Sequence, residues 1–195
     1  MVCSNMKKLY KISLIFSLLF ILSCEDSEYF PITFTQTFGG SGSDYGYSVQ
    51  QTTDGGYIIT GFTTSFGNGS YDVYLIKTDT NGEEEWSKTF GGSDFETANS
   101  IQQTTDGGYI ISGITTSFGN GSYDVYLVKT DSNGAEEWTK TFGGSSGDGG
   151  NSVQQATDGG YVITGETRSF GNGGGDLYLV KTDTNGNIAP ESELK

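Results

Sequence analysis

Asp106–Trp138 reads DGGYIISGITTSFGNGSYDVYLVKTDSNGAEEW, and nearly the same letters stand 52 residues earlier at Asp54–Trp86. They return a third time from Asp158 and stop short. Counted from Thr37, two units, 37–88 and 89–140, agree at 39 of 52 positions, and a third, 141–188, is incomplete. A fixed period near 50 marks a repeat architecture, each unit being one supersecondary block that buries its apolar face against its siblings.

Within the second unit the spacing predicts four strands: Asn99 to Gln103, Tyr109 to Thr116, Val125 to Thr130 and Glu136 to Phe142. Asp-Gly-Gly and Asn-Gly separate them, supplying the positive φ of tight hairpin turns. The third strand, Val125-Tyr126-Leu127-Val128, is apolar at consecutive positions. A strand with one wet face would alternate, so cover is expected on both sides. Gly61, Gly113 and Gly165 recur inside the second strand of each unit, where a glycine suggests close backbone approach, here read as packing toward a crowded axis.

Composition agrees. The 195 residues carry 31 Gly, only 2 Pro and 13% aromatics, which suits short strands and tight turns rather than helices or disorder. There is no His, so the commonest proton shuttle and metal ligand are both missing. The only cysteines, Cys3 and Cys24, lie near the N-terminus, so no disulfide staples the repeats.

The N-terminal residues carry an address. Lys7, Lys8 and Lys11 flank the apolar run Ile12–Leu22, which is shorter than the roughly 20 residues of a membrane span. Residues 1–23 are therefore read as a signal peptide. Ile21-Leu22-Ser23-Cys24 resembles a bacterial lipobox, which implies lipidation (a palmitate-type acyl anchor) at Cys24. Glu25, Asp26 and Glu28 follow, resembling the surface-export signal of Bacteroidetes lipoproteins, and 24–33 is read as an acidic tether. The resemblance implies the bacterial outer membrane or cell surface. Net charge is −14 before the signal is removed, which excludes nucleic acid as a partner and leaves acyl chains as the only membrane attachment.

Phe34 lies 52 residues before Trp86, in Ile32-Thr33-Phe34-Thr35-Gln36-Thr37-Phe38, a fourth-type strand with no unit before it. The third unit ends without a fourth strand, and 189–195 is a tail. Segment 32–38 is therefore expected to complete the last unit, zipping the termini together and removing sheet edges.

The pattern D-x-Y-L-[IV]-K-T-D-x-N-G-x-x-x-W-x-x-T-F-G-G followed by S-[VI]-Q-Q-x-T-D-G-G-Y-[IV]-I-x-G resembles bacterial β-propeller repeats of secreted Bacteroidetes proteins, and more distantly the tryptophan-docking repeats of quinoprotein-like propellers. The resemblance spans Phe34 to Ile188 and implies an all-β fold of three four-stranded antiparallel blades, with Phe34, Trp86 and Trp138 as blade-docking residues. The Q-x-D-x-N-x-V-x-Y motif of bulb-type lectins is absent. Propellers use about 4 to 8 blades, so three units imply a partial ring or one completed by a homodimer. A three-fold β-trefoil or β-prism is the alternative.

Chemistry is sparse. Asp79-Thr80-Asn81-Gly82-Glu83-Glu84 has calcium-like oxygen spacing, but the full D-x-[DN]-x-[DN]-G pattern is missing and the letters make a hairpin turn. Phe118-Gly119-Asn120-Gly121 lacks the Lys-Ser/Thr pair of a phosphate loop. Glu84 and Glu85 are strand neighbours and point to opposite faces, unlike a glycosidase pair. Neither metal, cofactor nor catalysis is expected. The first two units differ most between Gly42 and Tyr47 and between Asp94 and Asn99, with Ser146 to Asn151 the matching stretch of the third. These stretches read as loops gathered on one face, where Tyr45, Tyr47 and Phe95 offer aromatic surface to sugars or peptides. The expected function is binding or scaffolding of an unknown protein or glycan. A lectin-like module is the alternative, and a quinoprotein-like enzyme fragment the distant one.

Overall fold

The computed structural model describes residues 31–189. The signal segment, the lipidation residue Cys24, most of the acidic tether and residues 190–195 of the tail lie outside them. The described residues are all-β, without helix, in three antiparallel sheets. Sheet one holds β1 (Asp44–Gln51), β2 (Tyr57–Thr63), β3 (Asp72–Thr78) and β4 (Glu84–Phe90). Sheet two holds β5 (Glu96–Gln103), β6 (Tyr109–Thr115), β7 (Asp124–Thr130) and β8 (Glu136–Phe142). Sheet three holds β9 (Asp148–Gln155), β10 (Tyr161–Thr167) and β11 (Asp176–Lys181). Each is a simple meander with its strands paired in chain order, and none closes on itself.

The turns do what their letters require. In Asp131-Ser132-Asn133-Gly134 the Asp131 carboxylate accepts from the amides of Asn133 and Ala135, both at 2.8 Å, and Gly134 takes φ 75°. Asp79 and Asp183 repeat this arrangement. The calcium-like spacing is thus occupied by the turn's own amides, which hold these carboxyls below their usual range.

The sheets pack face to face. Ile58, Val73, Leu75 and Phe90 of sheet one share a core with Ala98, Ile101, Ile111, Tyr126 and Val128 of sheet two. The opposite face of sheet two, Ile110, Val125, Leu127 and Phe142, shares a second core with Val153, Tyr161, Ile163 and Val180 of sheet three. Every residue of β7 is buried, as its two-sided apolar run requires. Each buried aliphatic side chain contributes about 1.5–3 kcal/mol, and these two seams hold the repeats together.

An aromatic clasp repeats at each seam. Trp86 packs on Tyr109 with ring centroids 6.0 Å apart, and Trp138 on Tyr161 at 5.7 Å. Each indole also covers the glycine of the next unit's Asn-Gly turn, Gly134 and Gly186, where any Cβ would collide with it. Phe34 does the same one step earlier, 5.7 Å from Tyr57 and against Gly82.

Three expectations are corrected. Segment 32–38 forms no strand among the described residues. A fourth strand hydrogen-bonds to the third strand of its own sheet; among the described residues this segment has no such partner and docks by side chains, Phe34 on Tyr57 and Gln36 on Glu83. Sheet three accordingly has three strands, not four, and β11 keeps one apolar side uncovered: Leu177 is 77% and Leu179 65% exposed. Finally, the close backbone approach at the strand glycines comes from the neighbouring strand of their own sheet. A Cβ on Gly113 would lie 1.8 Å from the Thr97 carbonyl of β5, where a bulge between Ala98 and Ser100 pushes the backbone inward. Gly61 and Gly165 serve the same bulge in their sheets.

Candidate functional site

The first seam opens at one end onto a row of rings. Tyr45, near the start of β1, stacks on Phe62 of β2 at 5.0 Å with an interplanar angle of 24°. Tyr47 approaches the same ring at 5.8 Å. Phe62 contacts Tyr71 at 4.9 Å, and Tyr71 contacts Phe95 at 4.8 Å. A backbone bridge between Tyr71 and Phe95 joins sheet one to sheet two at this point, with the Glu96 amide donating to the Tyr71 carbonyl at 2.9 Å.

Alternation explains the row. In register, Tyr45 stands opposite Phe62, so both project from the face that meets sheet two. Tyr47 follows Gly46 at the β1 bulge, which turns it toward the same ring. Tyr45 is 57% and Tyr47 53% exposed, while Phe62 is buried beneath them and Phe95 is half-buried. The three sequence candidates are therefore brought together, but by two rings that sequence reasoning missed. Phe62 differs singly from Ile114 within a matching stretch, Tyr71 is repeated as Tyr123, and nothing in the pattern says that they meet at a seam. Nor are the variable stretches simply loops: Tyr45 and Tyr47 belong to β1.

The matching place in the second seam is different. Thr97, Asn99, Ile114 and Gly147 stand where Tyr45, Tyr47, Phe62 and Phe95 stand in the first. Tyr123 replaces the ring-to-ring contact of Tyr71 with a hydrogen bond donated to Glu166 Oε1 at 2.9 Å. That carboxylate raises the Tyr123 pKa above its ordinary value.

Several other polar groups are tied up in hydrogen bonds and ion pairs within the sheets. At the aromatic end, buried Glu96 accepts from the Gly92 amide at 2.7 Å and from Thr115 Oγ1 at 2.7 Å. Asp148 accepts from Gly144, Thr167 and Ser169. Burial would raise the Asp148 pKa, but the Ser169 and Thr167 hydroxyls outweigh it and lower it. At the opposite end, the Lys77 ammonium contacts Asp54 and Glu85, both at 2.9 Å, and donates to the Thr78 carbonyl. Lys129 repeats this with Asp106, Glu137 and the Thr130 carbonyl. Among the described residues Lys181 pairs with Asp158 and donates to the Thr182 carbonyl, with no second carboxylate beside it, and its side chain is 44% exposed. Among the described residues no three His, Cys, Asp or Glu side chains gather as a metal would require.

The geometry thus offers an aromatic platform on which the exposed rings of Tyr45 and Tyr47 each carry a hydroxyl. No protein-family model matches the chain, and no curated protein matches it.

Proposed function

We propose that the chain is a binding module built from propeller-type blades, displayed by a lipid on Cys24 at a bacterial outer surface. Its ligand face is the aromatic row Tyr45–Tyr47–Phe62–Tyr71–Phe95. The stacked sheets support the blade reading. Sheet two carries core on both faces, as a blade between two others does, whereas a trefoil or prism would bury one face of each unit around a shared axis. The observation that carries the binding reading is the exposure of Tyr45 and Tyr47 above a buried ring, in the one stretch where otherwise near-identical units diverge.

A protein segment with an apolar side is the ligand class that such a platform fits best. A glycan is the second reading, favoured by the near-parallel Tyr45–Phe62 stack, whose exposed ring can extend onto a flat sugar face. Peptide and glycan arrays probed with the full chain test both. Stacking on one ring is worth about 0.5–1.5 kcal/mol, so Tyr45→Ala and Tyr47→Ala should each weaken binding by up to about tenfold. Array binding unchanged in both variants would remove the aromatic row from the function, and peptide-only or glycan-only signals separate the two readings.

A further inference from the structure

The two seams are one interface used twice, and its two halves are left over at the ends of the stack. Leu75 of sheet one meets sheet two; Leu127, 52 residues on, meets sheet three; Leu179 is the next in the series, 65% exposed, and no further sheet covers it among the described residues. Val73, Val125 and Leu177 form the same series, as do Ile58, Ile110 and Val162. On the far side of sheet one lies the complementary half: Val49, Ile59, Tyr74 and Ile76 correspond to Ile101, Ile111, Tyr126 and Val128, the residues of sheet two that receive sheet one. Val49 is 64% exposed there, while Tyr74 and Ile76 are already buried beside a hollow of about 170 Å³ whose lining includes Phe38, Asp44, Tyr45, Ile59 and Thr60.

Segment 32–38 already occupies that far side as a fourth strand would. Phe34 takes the place of Trp86 and Trp138. Gln36 donates to Glu83 at 2.9 Å, the contact that Lys140 makes with Asn187 at 3.0 Å two units later. Among the described residues it has no third strand to pair with, and β11 is a third strand without a fourth. Polar groups repeat the offer. Ser48 and Gln50 of β1 accept from the amides of Ile101 and Gln103, and Ser100 and Gln102 of β5 from those of Val153 and Gln155. Ser152 and Gln154 of β9, next in the series, are exposed.

We propose that a second copy of this chain docks sheet three onto sheet one, head to tail, and that its β11 pairs with segment 32–38. The register follows from β7 and β8, where Val125 faces Phe142 and Leu127 faces Lys140. Shifted by the repeat, Leu177 of one copy faces Phe38 of the other, and Leu179 faces Gln36. Leu179 fills the hollow, while Ser152 and Gln154 accept from the amides of Val49 and Gln51. This inference rests on the blade reading. With three sheets per copy and about 4 to 8 blades in a closed ring, two copies are the number that closes. Both carry strong negative charge, so the contact is apolar and tightens as salt screens the repulsion.

The test uses the full chain carrying Cys3→Ser and Cys24→Ser, solubilised in detergent, with protein mass measured by light scattering. The expected mass is twice the 20.8 kDa chain, falling to one chain on Leu179→Lys with circular dichroism unchanged, since Leu179 is already exposed. Added Gln36→Cys and Leu179→Cys should form an inter-chain disulfide, because facing residues on paired strands lie within disulfide reach. Gln36→Cys with Asn172→Cys should not. A single-chain mass for the parent, a dimer that survives Leu179→Lys, or equal cross-linking of the control pair would overturn the docking. A single-chain parent that still binds through Tyr45 and Tyr47 overturns the docking alone. Loss of sheet signal in the parent overturns the blade reading with it.

Discussion

Asp106 shows how one side chain holds the start of the second strand. Its carboxylate accepts from Thr104 and from the Gly108 amide and pairs with the buried ammonium of Lys129 at 2.9 Å. Burial opposes its charge, but Thr104 and Lys129 outweigh that and bring its pKa to about 2. The depressed value sets the sign. The stabilisation is fully present above the unfolded pKa, near 4, and is lost as pH falls toward 2. The carboxylate is 56% exposed, so its contribution is discounted to about 1 kcal/mol. Asp106→Asn should therefore lower Tm at pH 7 by about 2–4 °C, and the difference from the parent should vanish by about pH 2 in a calorimetric pH series. A difference that persists at pH 2 would assign the loss to packing instead. The clasp was not legible in the sequence. Lys129 reads there as one polar residue ending an apolar strand, and only the pairing of Lys129 with Trp138 in register places Glu137 beside it.

The strands themselves were largely legible, because Asp-Gly and Asn-Gly turns bracket runs of Ile, Val, Tyr and Thr. β8 lies where expected, and β6 and β7 agree to within a residue. The first strand of each unit begins earlier than its pattern suggests, at Glu96 rather than Asn99. A bulge breaks the alternation there, and Glu96 points inward, which polarity alone argues against. The same bulge explains the recurring glycine in the neighbouring strand. Gly113→Ala would drive a Cβ into the Thr97 carbonyl and should cost more than about 2 kcal/mol in urea unfolding. Gly175→Ala, with no atom within 4 Å of the added carbon, should stay within about 0.5 kcal/mol and serves as the comparison.

At the scale of the molecule, the repeat predicts more symmetry than three sheets express. Periodicity showed that the units were alike and that the third was short. It did not show that segment 32–38 would dock on sheet one through Phe34 and Gln36 without joining a strand ladder. The aromatic row had the same difficulty. Tyr45, Tyr47 and Phe95 stood out because they lie in the runs where the units differ most, whereas Phe62, a lone difference, and Tyr71, a repeated residue, join them only through the seam. Everything proposed for this protein, ligand face and docking alike, depends on the sheets stacking through that seam with the indole over the next unit's turn glycine. Proton NMR reads this directly, since an α-proton held against an indole is moved upfield by the ring current. One α-proton of Gly134 and one of Gly186 should be shifted well upfield. Trp86→Leu should return only Gly134 to its ordinary position, and Trp138→Leu only Gly186. Ordinary shifts for both glycines in the parent chain, untouched by either substitution, would contradict the stacked arrangement.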